Sequence, residues 1–281
     1  MIFPENMGEH LSIDETSLSN GELYTFITNK KGRAKKGTLV ASIKGTLSKD
    51  IVGVLEMLPL SKRKLVNEVT LDMAKNMEYS VKMCFPNASL VTDRFHVVKL
   101  VIDALQHVRI KYRWEELDKE NKAIQRAKEK GKKYKPRAFE NEDSAKQLLA
   151  RSRFVLAKKS SDWTYTQKLR AEILFRQYPV IQEAYKRVME FRNIYEETCL
   201  FRAEKRLKLW INESINGSIK EFYTAANTIN NNMKNILNFF NNRNTNAFAE
   251  SFNSKIKLFR ANLRGVVKVD FFLFRMHKLF A

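Results

Sequence analysis

Cysteine is nearly absent from this sequence. Only Cys84 and Cys199 occur among its 281 residues, and they lie far apart along the chain. Two distant cysteines allow neither a disulfide framework nor a paired-cysteine metal site. We therefore predict an intracellular protein whose thiols stay reduced.

Long apolar runs and a secretory leader are also missing. No uninterrupted apolar segment approaches the roughly 20 residues that a membrane-spanning helix needs. Residues 1–9 lack the basic-then-apolar pattern of a signal peptide. The expected location is the bacterial cytoplasm, in association with the nucleoid, and no membrane partner is expected.

Acidic residues are in the minority. Lysine and arginine outnumber aspartate and glutamate by 51 to 31, which gives a formal net charge of +20. Such an excess predicts a polyanionic partner, although charge by itself is also compatible with a merely solvated cationic surface. Because 44% of the residues are hydrophobic, the chain can bury a sizeable core, as one large domain or as a domain carrying an insertion.

The first third of the chain has the pattern of a mixed α/β unit. Short apolar or alternating runs predict five strands, at residues 10–14, 22–28, 38–44, 69–72 and 88–92. Turn signals at Asn20-Gly21, Gly32 and Gly37 join the first three strands as two consecutive hairpins.

Helical patterns separate the later strands and then take over. Ser48 is a suitable N-cap for a helix over residues 48–58, and a second helix is predicted over 73–85, so the strands around them should be parallel. From residue 94 to 242 no strand is predicted. Helices are expected there at residues 97–114, 145–157, 163–178, 180–207 and 215–240.

A cationic run lies between the first two of these later helices. Residues 122–137 contain eight lysines and arginines and a single acidic residue, Glu129. Such a run is typical of a solvated loop or a frayed helix, and it is equally compatible with nucleic-acid contacts. Under the second hypothesis the DNA-binding side chains are Lys130, Lys132, Lys133 and Lys135.

One more helix is predicted near the C-terminus, with Asn246 as its N-cap and Gly265 as its stop. Its apolar face consists of Phe248, Phe252, Ile256 and Phe259. A second, polar stripe repeats at spacings of three and four: Asn246, Glu250, Asn253, Lys257, Arg260 and Arg264. This stripe has one carboxylate among amides and cations, which points to a function, although an ordinary solvated face is the alternative.

Two of the predicted strands end in an aspartate: Asp14 after residues 11–13 and Asp72 after residues 69–71. Phosphodiester cleavage and transfer need an activated oxygen nucleophile and a stabilised leaving oxygen, which two Mg²⁺ ions can provide. Such hard cations prefer oxygen ligands. If the two strands are neighbours, about 4.8 Å apart, their aspartates can share metal ions. Taken singly, Asp72 and Asp93 are equally well explained as turn or cap residues.

Several motifs together resemble the ISL-three (ISL3) family of bacterial insertion-sequence transposases, which is related to the Mutator-like group. They are Leu-Asp-Met at residues 71–73, Phe-Pro-Asn-Ala at 85–88, Asp-Arg-Phe-His-Val-Val-Lys at 93–99, Ser-Ile-Asp-Glu at 12–15 and the run from 246 to 257. The similarity covers nearly the whole chain, and the Asp-Arg-Phe-His segment is its most specific part.

The resemblance implies an α/β fold, an RNase H-like mixed sheet of strand order 3-2-1-4-5 with a large all-helical insertion. Residues 1–104 would form the first part of the catalytic core, 105–242 the insertion, and 243–281 the final core helix and C-terminus. Asp14, Asp72 and Glu250 would then be the catalytic residues and the ligands of Mg²⁺, for which Mn²⁺ can substitute.

The identity of the second aspartate stays open between two positions. Asp72 is preferred because it would end the strand next to that of Asp14, whereas Asp93 would lie one strand farther away. Asp93 is the alternative, or an additional metal ligand, because it belongs to the more conspicuous motif. His96 resembles the histidine of the Mutator-like signature and would orient a phosphate or a carboxylate, unless it is a packed or capping residue.

The function implied is metal-dependent DNA cleavage and strand transfer. Lys255, Lys257, Arg260 and Arg264 would neutralise DNA phosphates. The family pattern carries an N-terminal zinc-binding segment and a helix-turn-helix that this sequence lacks, so we expect a separate DNA-binding polypeptide or a truncated gene. A homo-oligomer on DNA is expected because two ends must be cut. The alternatives are a non-catalytic DNA-binding remnant and an RNase H-like nuclease or resolvase.

Overall fold

The computed structural model describes residues 1–18, 22–243, 246–263 and 268–281. Three positions named above lie outside these ranges: the predicted turn at Asn20-Gly21, the predicted helix end at Gly265 and the candidate DNA-binding residue Arg264. The chain divides into two compact units. The first comprises Met1–Val97 with Asn232–Ala281, and the second comprises Val98–Asn231.

The first unit contains a five-stranded mixed sheet of order β3-β2-β1-β4-β5. β1 pairs antiparallel with β2, and β2 with β3, whereas β1 with β4 and β4 with β5 are parallel. This confirms the α/β class and the strand order. The strands are β1 His10–Ser17, β2 Leu23–Asn29, β3 Leu39–Lys44, β4 Glu68–Leu71 and β5 Ser89–Thr92.

β1 is longer than the sequence pattern predicts. It continues to Ser17 and pairs with β2 along its whole second half, with Asp14 opposite Phe26. The pairing with the parallel neighbour β4 covers only His10 to Ser12. Asp14 therefore lies in the middle of a strand, beyond the point where β4 ends, and not at the strand end that we expected.

Helices cover both faces of this sheet. On one face Leu11, Val69 and Leu71 pack in a buried cluster with α1 (Ser48–Glu56) and α3 (Lys75–Cys84). On the other face Phe26 packs edge-on against Phe252 of α12 (Ala247–Asn262), and both rings are buried. Burial of each such side chain contributes about 2 kcal/mol. The helices of this unit are α1 Ser48–Glu56, α2 Leu60–Arg63, α3 Lys75–Cys84, the first turn of α4, α10 Met233–Leu237, α11 Phe239–Asn242, α12 Ala247–Asn262 and α13 Val269–Phe280.

Two expected caps are wrong in detail. Leu47, not Ser48, precedes α1, and the Ser48 hydroxyl donates instead to the Asn76 carbonyl. Asn246 does precede α12, but its side chain forms no capping hydrogen bond. Ser48 is thus engaged in a tertiary hydrogen bond, and Asn246 is buried with only 2% of its surface exposed. Neither side chain accepts from the backbone N–H groups of the first turn, as a capping residue would.

The second unit is helical. It contains α4 from its second turn onward, and α4 as a whole is Arg94–Glu129. The other helices are α5 Ala145–Arg151, α6 Tyr165–Gln177, α7 Pro179–Ile194, α8 Leu200–Asn216 and α9 Glu221–Asn231. No helix among the described residues has both the length and the apolar character needed to cross a membrane.

Several of these helices differ from the sequence-based expectation. The helix expected over residues 97–114 runs on to Glu129, because its exposed second half is built from good helix formers. The single helix expected over 180–207 is two helices, interrupted between Tyr195 and Cys199. That expected over 215–240 is divided among α9, α10 and α11. Helical periodicity continues across these breaks, so periodicity alone does not show them.

Candidate active site

Asp14 is the centre of the candidate site. Its Oδ1 accepts a hydrogen bond from the Glu15 backbone N–H at 2.8 Å, and its Oδ2 accepts one from the Asn253 amide at 2.6 Å. Burial raises the pKa of Asp14, the Glu15 N–H and the charge of His96 oppose that rise, and the negative charges of Asp72 and Glu250 add to it. Residues from four different segments of the first unit thus influence one carboxylate.

α12 brings Glu250 and Asn253 to Asp14 from the same side. The two residues are three positions apart and therefore share one face of the helix. Asn253 is only 8% exposed, and its Oδ1 has no hydrogen-bond partner among the described residues. The sequence pattern places Asn253 in a polar stripe and assigns it no role. Its spacing from Glu250 is the signal that could have identified it.

Asp72 follows β4, whose neighbour is β1. Its Oδ1 accepts a hydrogen bond from the Ala74 backbone N–H at 2.8 Å, which supports the turn leading into α3. Its charge raises the pKa of Asp14 and contributes to the raised pKa of Glu15, for which burial is the larger cause. Asp72 therefore has the turn role that the local sequence suggests, and its charge also influences Asp14.

Asp93 follows β5 and is buried, with only 2% of its surface exposed. Its Oδ1 accepts from the Phe95 backbone N–H at 3.2 Å, and its Oδ2 has no hydrogen-bond partner in the described part of the chain. The Nε2 of His96 lies 3.8 Å from that Oδ2. Burial raises the pKa of Asp93 to about 6; the Phe95 N–H and the charge of His96 oppose this, whereas the charges of Glu250 and Asp14 add to it.

A family model for transposases of the ISL3 type, which carry the DDE motif, matches residues 11–276. This chain belongs to the ISL-three family of DDE transposases. The match covers the whole second unit and most of the first, including all four carboxylates described above. None of the curated proteins compared with the chain matches it significantly.

The carboxylates of this ISL-three transposase offer the oxygen ligands that a hard divalent cation prefers. Asp14, Asp72 and Glu250 supply oxygen donors, and the buried, unpartnered Oδ2 of Asp93 is a further one. Within the described ranges, no three His, Cys, Asp or Glu side chains are already gathered closely enough to hold a metal ion. The donor chemistry therefore fits Mg²⁺, while the ligand set is not drawn together.

The cations expected to bind DNA have different surroundings. The Lys255 ammonium donates to the Ala34 carbonyl at 2.7 Å, and the Arg260 guanidinium lies over the Phe272 ring at 5.2 Å. Lys257 is exposed. In the second unit the expected cationic side chains are all exposed: Lys130, Lys132, Lys133 and Lys135.

The apolar face expected for α12 is confirmed only in part. Phe252 and Ile256 are fully buried, and Phe259 packs against their cluster. Phe248, however, is 42% exposed. It lies in the first turn of the helix, before the point at which α12 packs on the sheet face that contains Phe26.

The raised pKa of Asp93 predicts that this carboxylate destabilises the fold at neutral pH. Because the folded-state pKa of about 6 exceeds the ordinary value of 3.8, the stability associated with the protonated form is complete below about pH 3.8 and is lost as the pH rises through 6. Above that range the charge costs on the order of 3 kcal/mol, at about 1.4 kcal/mol per pKa unit. In EDTA at pH 7.5, Asp93→Asn should therefore raise the melting temperature by several degrees.

The same comparison at pH 4 is the control, because Asp93 in the folded protein is then almost fully protonated and, like asparagine, carries no charge. The gain from Asp93→Asn should shrink there to a fraction of its value at pH 7.5. If Asp93→Asn leaves the melting temperature at pH 7.5 unchanged or lowers it, other groups in the folded protein stabilise the Asp93 charge and the prediction is wrong.

Proposed function

We propose that this chain is the catalytic part of its transposase, which cleaves the ends of an insertion sequence and joins them to target DNA. Asp14, Asp72 and Glu250 are the catalytic residues and the Mg²⁺ ligands, with Asp93 as a further or alternative ligand. The observation that supports this most directly is that the charges of Asp72 and Glu250, which lie on separate elements, both raise the pKa of Asp14.

When bound, Mg²⁺ would supply an activated water or 3′-hydroxyl nucleophile and stabilise the leaving oxygen. Asp14 is the proposed ligand whose pKa the charges of Asp72 and Glu250 both raise. The short hydrogen bond from Asn253 holds one of its oxygens in a fixed direction. His96 lies in the first turn of α4, and its Nε2 is 3.8 Å from the Oδ2 of Asp93, where it can orient that carboxylate or contact a phosphate.

Membership in a transposase family implies DNA as the partner. Lys257 and Arg260 on α12 and the exposed lysines of residues 130–135 are proposed to neutralise its phosphates, and the high net charge supports this. We further propose that the protein acts as a homo-oligomer on DNA, since two transposon ends must be cut, and that a separate polypeptide can supply sequence recognition.

The proposed function is tested by incubating labelled element-end DNA and unlabelled target DNA with the protein, with and without Mg²⁺ or Mn²⁺. Any upstream DNA-binding partner is added, and Asp14→Asn is the matched variant. We expect cleaved ends and joined products from the wild type, both dependent on the metal, and neither from Asp14→Asn.

The two rival functions give different products. A nuclease or resolvase with the same fold would release cleaved ends and form no joined product. A non-catalytic remnant would bind the DNA and yield neither product, and Asp14→Asn would then bind as the wild type does. Either result would overturn the proposal.

A further inference from the structure

The connection between β2 and β3 is strongly cationic. Five of the seven residues from 30 to 36 are lysine or arginine, and none is acidic. The Lys30 side chain is only 10% exposed, and the other four are exposed: Lys31, Arg33, Lys35 and Lys36. Within the described ranges none of these four forms an ion pair, so their charge is available to an outside anion. We call residues 31–36 the basic loop.

Hydrogen bonds hold the basic loop in a defined shape. At its start the Lys31 backbone N–H donates to the Asn29 side chain at 3.0 Å, and near its end the Lys35 backbone N–H donates to the Thr38 hydroxyl at 3.0 Å. At Gly32 a Cβ would lie only 2.6 Å from the Thr38 Cα, so the two ends of the loop approach as closely as glycine allows. A loop fixed in this way loses little conformational entropy when it binds a partner.

The basic loop is docked on the helix that carries Glu250. Ala34 is 1% exposed and belongs to the same buried cluster as Phe252 and Ile256 of α12. Its carbonyl accepts the hydrogen bond from Lys255. Arg33 and Ala34 have φ values of 50° and 55°, in the left-handed region that side chains with a Cβ disfavour, and this docking holds them there.

The docking point lies close to the candidate active site along α12. Lys255 is five residues beyond Glu250, which corresponds to roughly 7.5 Å along the helix axis at about 1.5 Å per residue. About two base pairs of duplex DNA span that length at about 3.4 Å each. Along β2 the connection that contains the basic loop begins at Lys30, four residues beyond Phe26, the partner of Asp14, which is roughly 13 Å at about 3.3 Å per residue. A strand whose cleaved phosphate lies at Asp14 and that continues along α12 would have the phosphates about two positions away within reach of the basic loop.

We propose that the basic loop binds the sugar-phosphate backbone of DNA next to the phosphate that is cleaved. The inference rests on the proposed function for the location of that phosphate. It assigns DNA binding to a part of the chain where the sequence pattern shows only turn signals. Lysine and arginine side chains on a fixed loop suit phosphate contacts, which position DNA without reading its sequence.

The test compares two variants that carry the same charge change. One replaces Lys31, Lys35 and Lys36 with glutamine; the control replaces Lys44, Lys49 and Lys64, three exposed lysines elsewhere in the same unit, with glutamine. Binding of a short element-end duplex is measured in EDTA as a function of salt. Each phosphate that a lysine no longer neutralises lowers the slope of log affinity against log salt by about 0.9. The loop variant should therefore show a slope smaller by about 2 to 3 and an affinity about 10- to 100-fold weaker at 0.1 M salt.

A duplex with uncharged methylphosphonates within two base pairs of the cleavage position locates the bound phosphates. These substitutions should weaken the wild type and the control variant, and should have little further effect on the loop variant. Equal salt slopes for loop and control variants, or equal sensitivity to the methylphosphonates, would overturn the proposal. Matching thermal unfolding curves for all three proteins establish that both variants are folded.

Failure of this inference is distinguishable from failure of the proposed function. If the wild type cleaves and joins DNA while the loop variant keeps the wild-type salt slope, only the inference fails. If the wild type binds the duplex but never cleaves it, the proposed function fails, and with it the claim that the loop adjoins a cleaved phosphate.

Discussion

Asp72→Asn is expected to abolish both end cleavage and strand transfer, with a rate loss of at least about 1000-fold, equivalent to roughly 4 kcal/mol. Asparagine keeps the Oδ1 that accepts the Ala74 backbone N–H, so the turn into α3 should remain intact. The substitution removes a negative charge that influences Asp14, and with it one of the proposed ligands for Mg²⁺. The measurement is single-turnover cleavage and joining of labelled element-end DNA.

Asp93→Asn and Glu15→Gln are the matched controls. Glu15 is adjacent to Asp14 and is also influenced by the charge of Asp72, yet its carboxylate is hydrogen-bonded to Asn76, so neutralising it should change the rate little. Asp93→Asn should slow the reaction and leave both products detectable. If Asp93→Asn abolishes both reactions and Asp72→Asn does not, Asp93 is the second ligand and the strand-adjacency argument is wrong.

The sheet was predictable because each strand has a local signature. Buried runs of alternating or β-branched residues and the turn signals between them located all five strands to within a few residues. The extent of β1 was not predictable in the same way. Whether the strand ends at Asp14 or continues to Ser17 depends on its pairing with β2, which is a tertiary contact.

The contacts around Asp14 were less predictable than the residues themselves. Asn253 lies 239 residues from Asp14 along the chain, and only the packing of α12 on the sheet brings its amide within 2.6 Å. In the same way, Lys255 was expected to face DNA because it lies on a basic helix. In the structure its ammonium donates to Ala34, on a loop whose docking no local pattern indicates.

A largely buried ion pair links the end of β2 to β4 across β1, and its two residues are 38 positions apart in the sequence. Lys30, directly after β2, reaches past β1 to Glu68 on β4, with 2.8 Å between Nζ and Oε1. The two side chains are only 10% and 3% exposed. The other Glu68 oxygen accepts from the Asn242 amide at 3.2 Å. Burial lowers the pKa of Lys30, while the hydrogen bond and the charge of Glu68 oppose that change.

Lys30→Met is expected to destabilise the first unit by about 3–5 kcal/mol, because it leaves the Glu68 carboxylate charged, buried and without its cation. Typical domains have only about 5–15 kcal/mol of stability, so this variant should be close to unfolding at 37 °C. Glu68→Met should cost a similar amount, since it leaves the Lys30 ammonium in the same position. Urea denaturation at pH 7 in EDTA measures each loss.

The double variant Lys30→Met with Glu68→Met separates charge from packing. If the losses arise from an uncompensated buried charge, removing both charges should restore most of the stability, because desolvating the pair costs about as much as their attraction returns. A double variant as unstable as either single variant would instead attribute the losses to the hydrogen bonds with Thr70 and Asn242. Lys30 begins the connection between β2 and β3, but it lies outside the basic loop and its charge is paired with Glu68. A folded double variant should therefore keep the wild-type dependence of DNA affinity on salt.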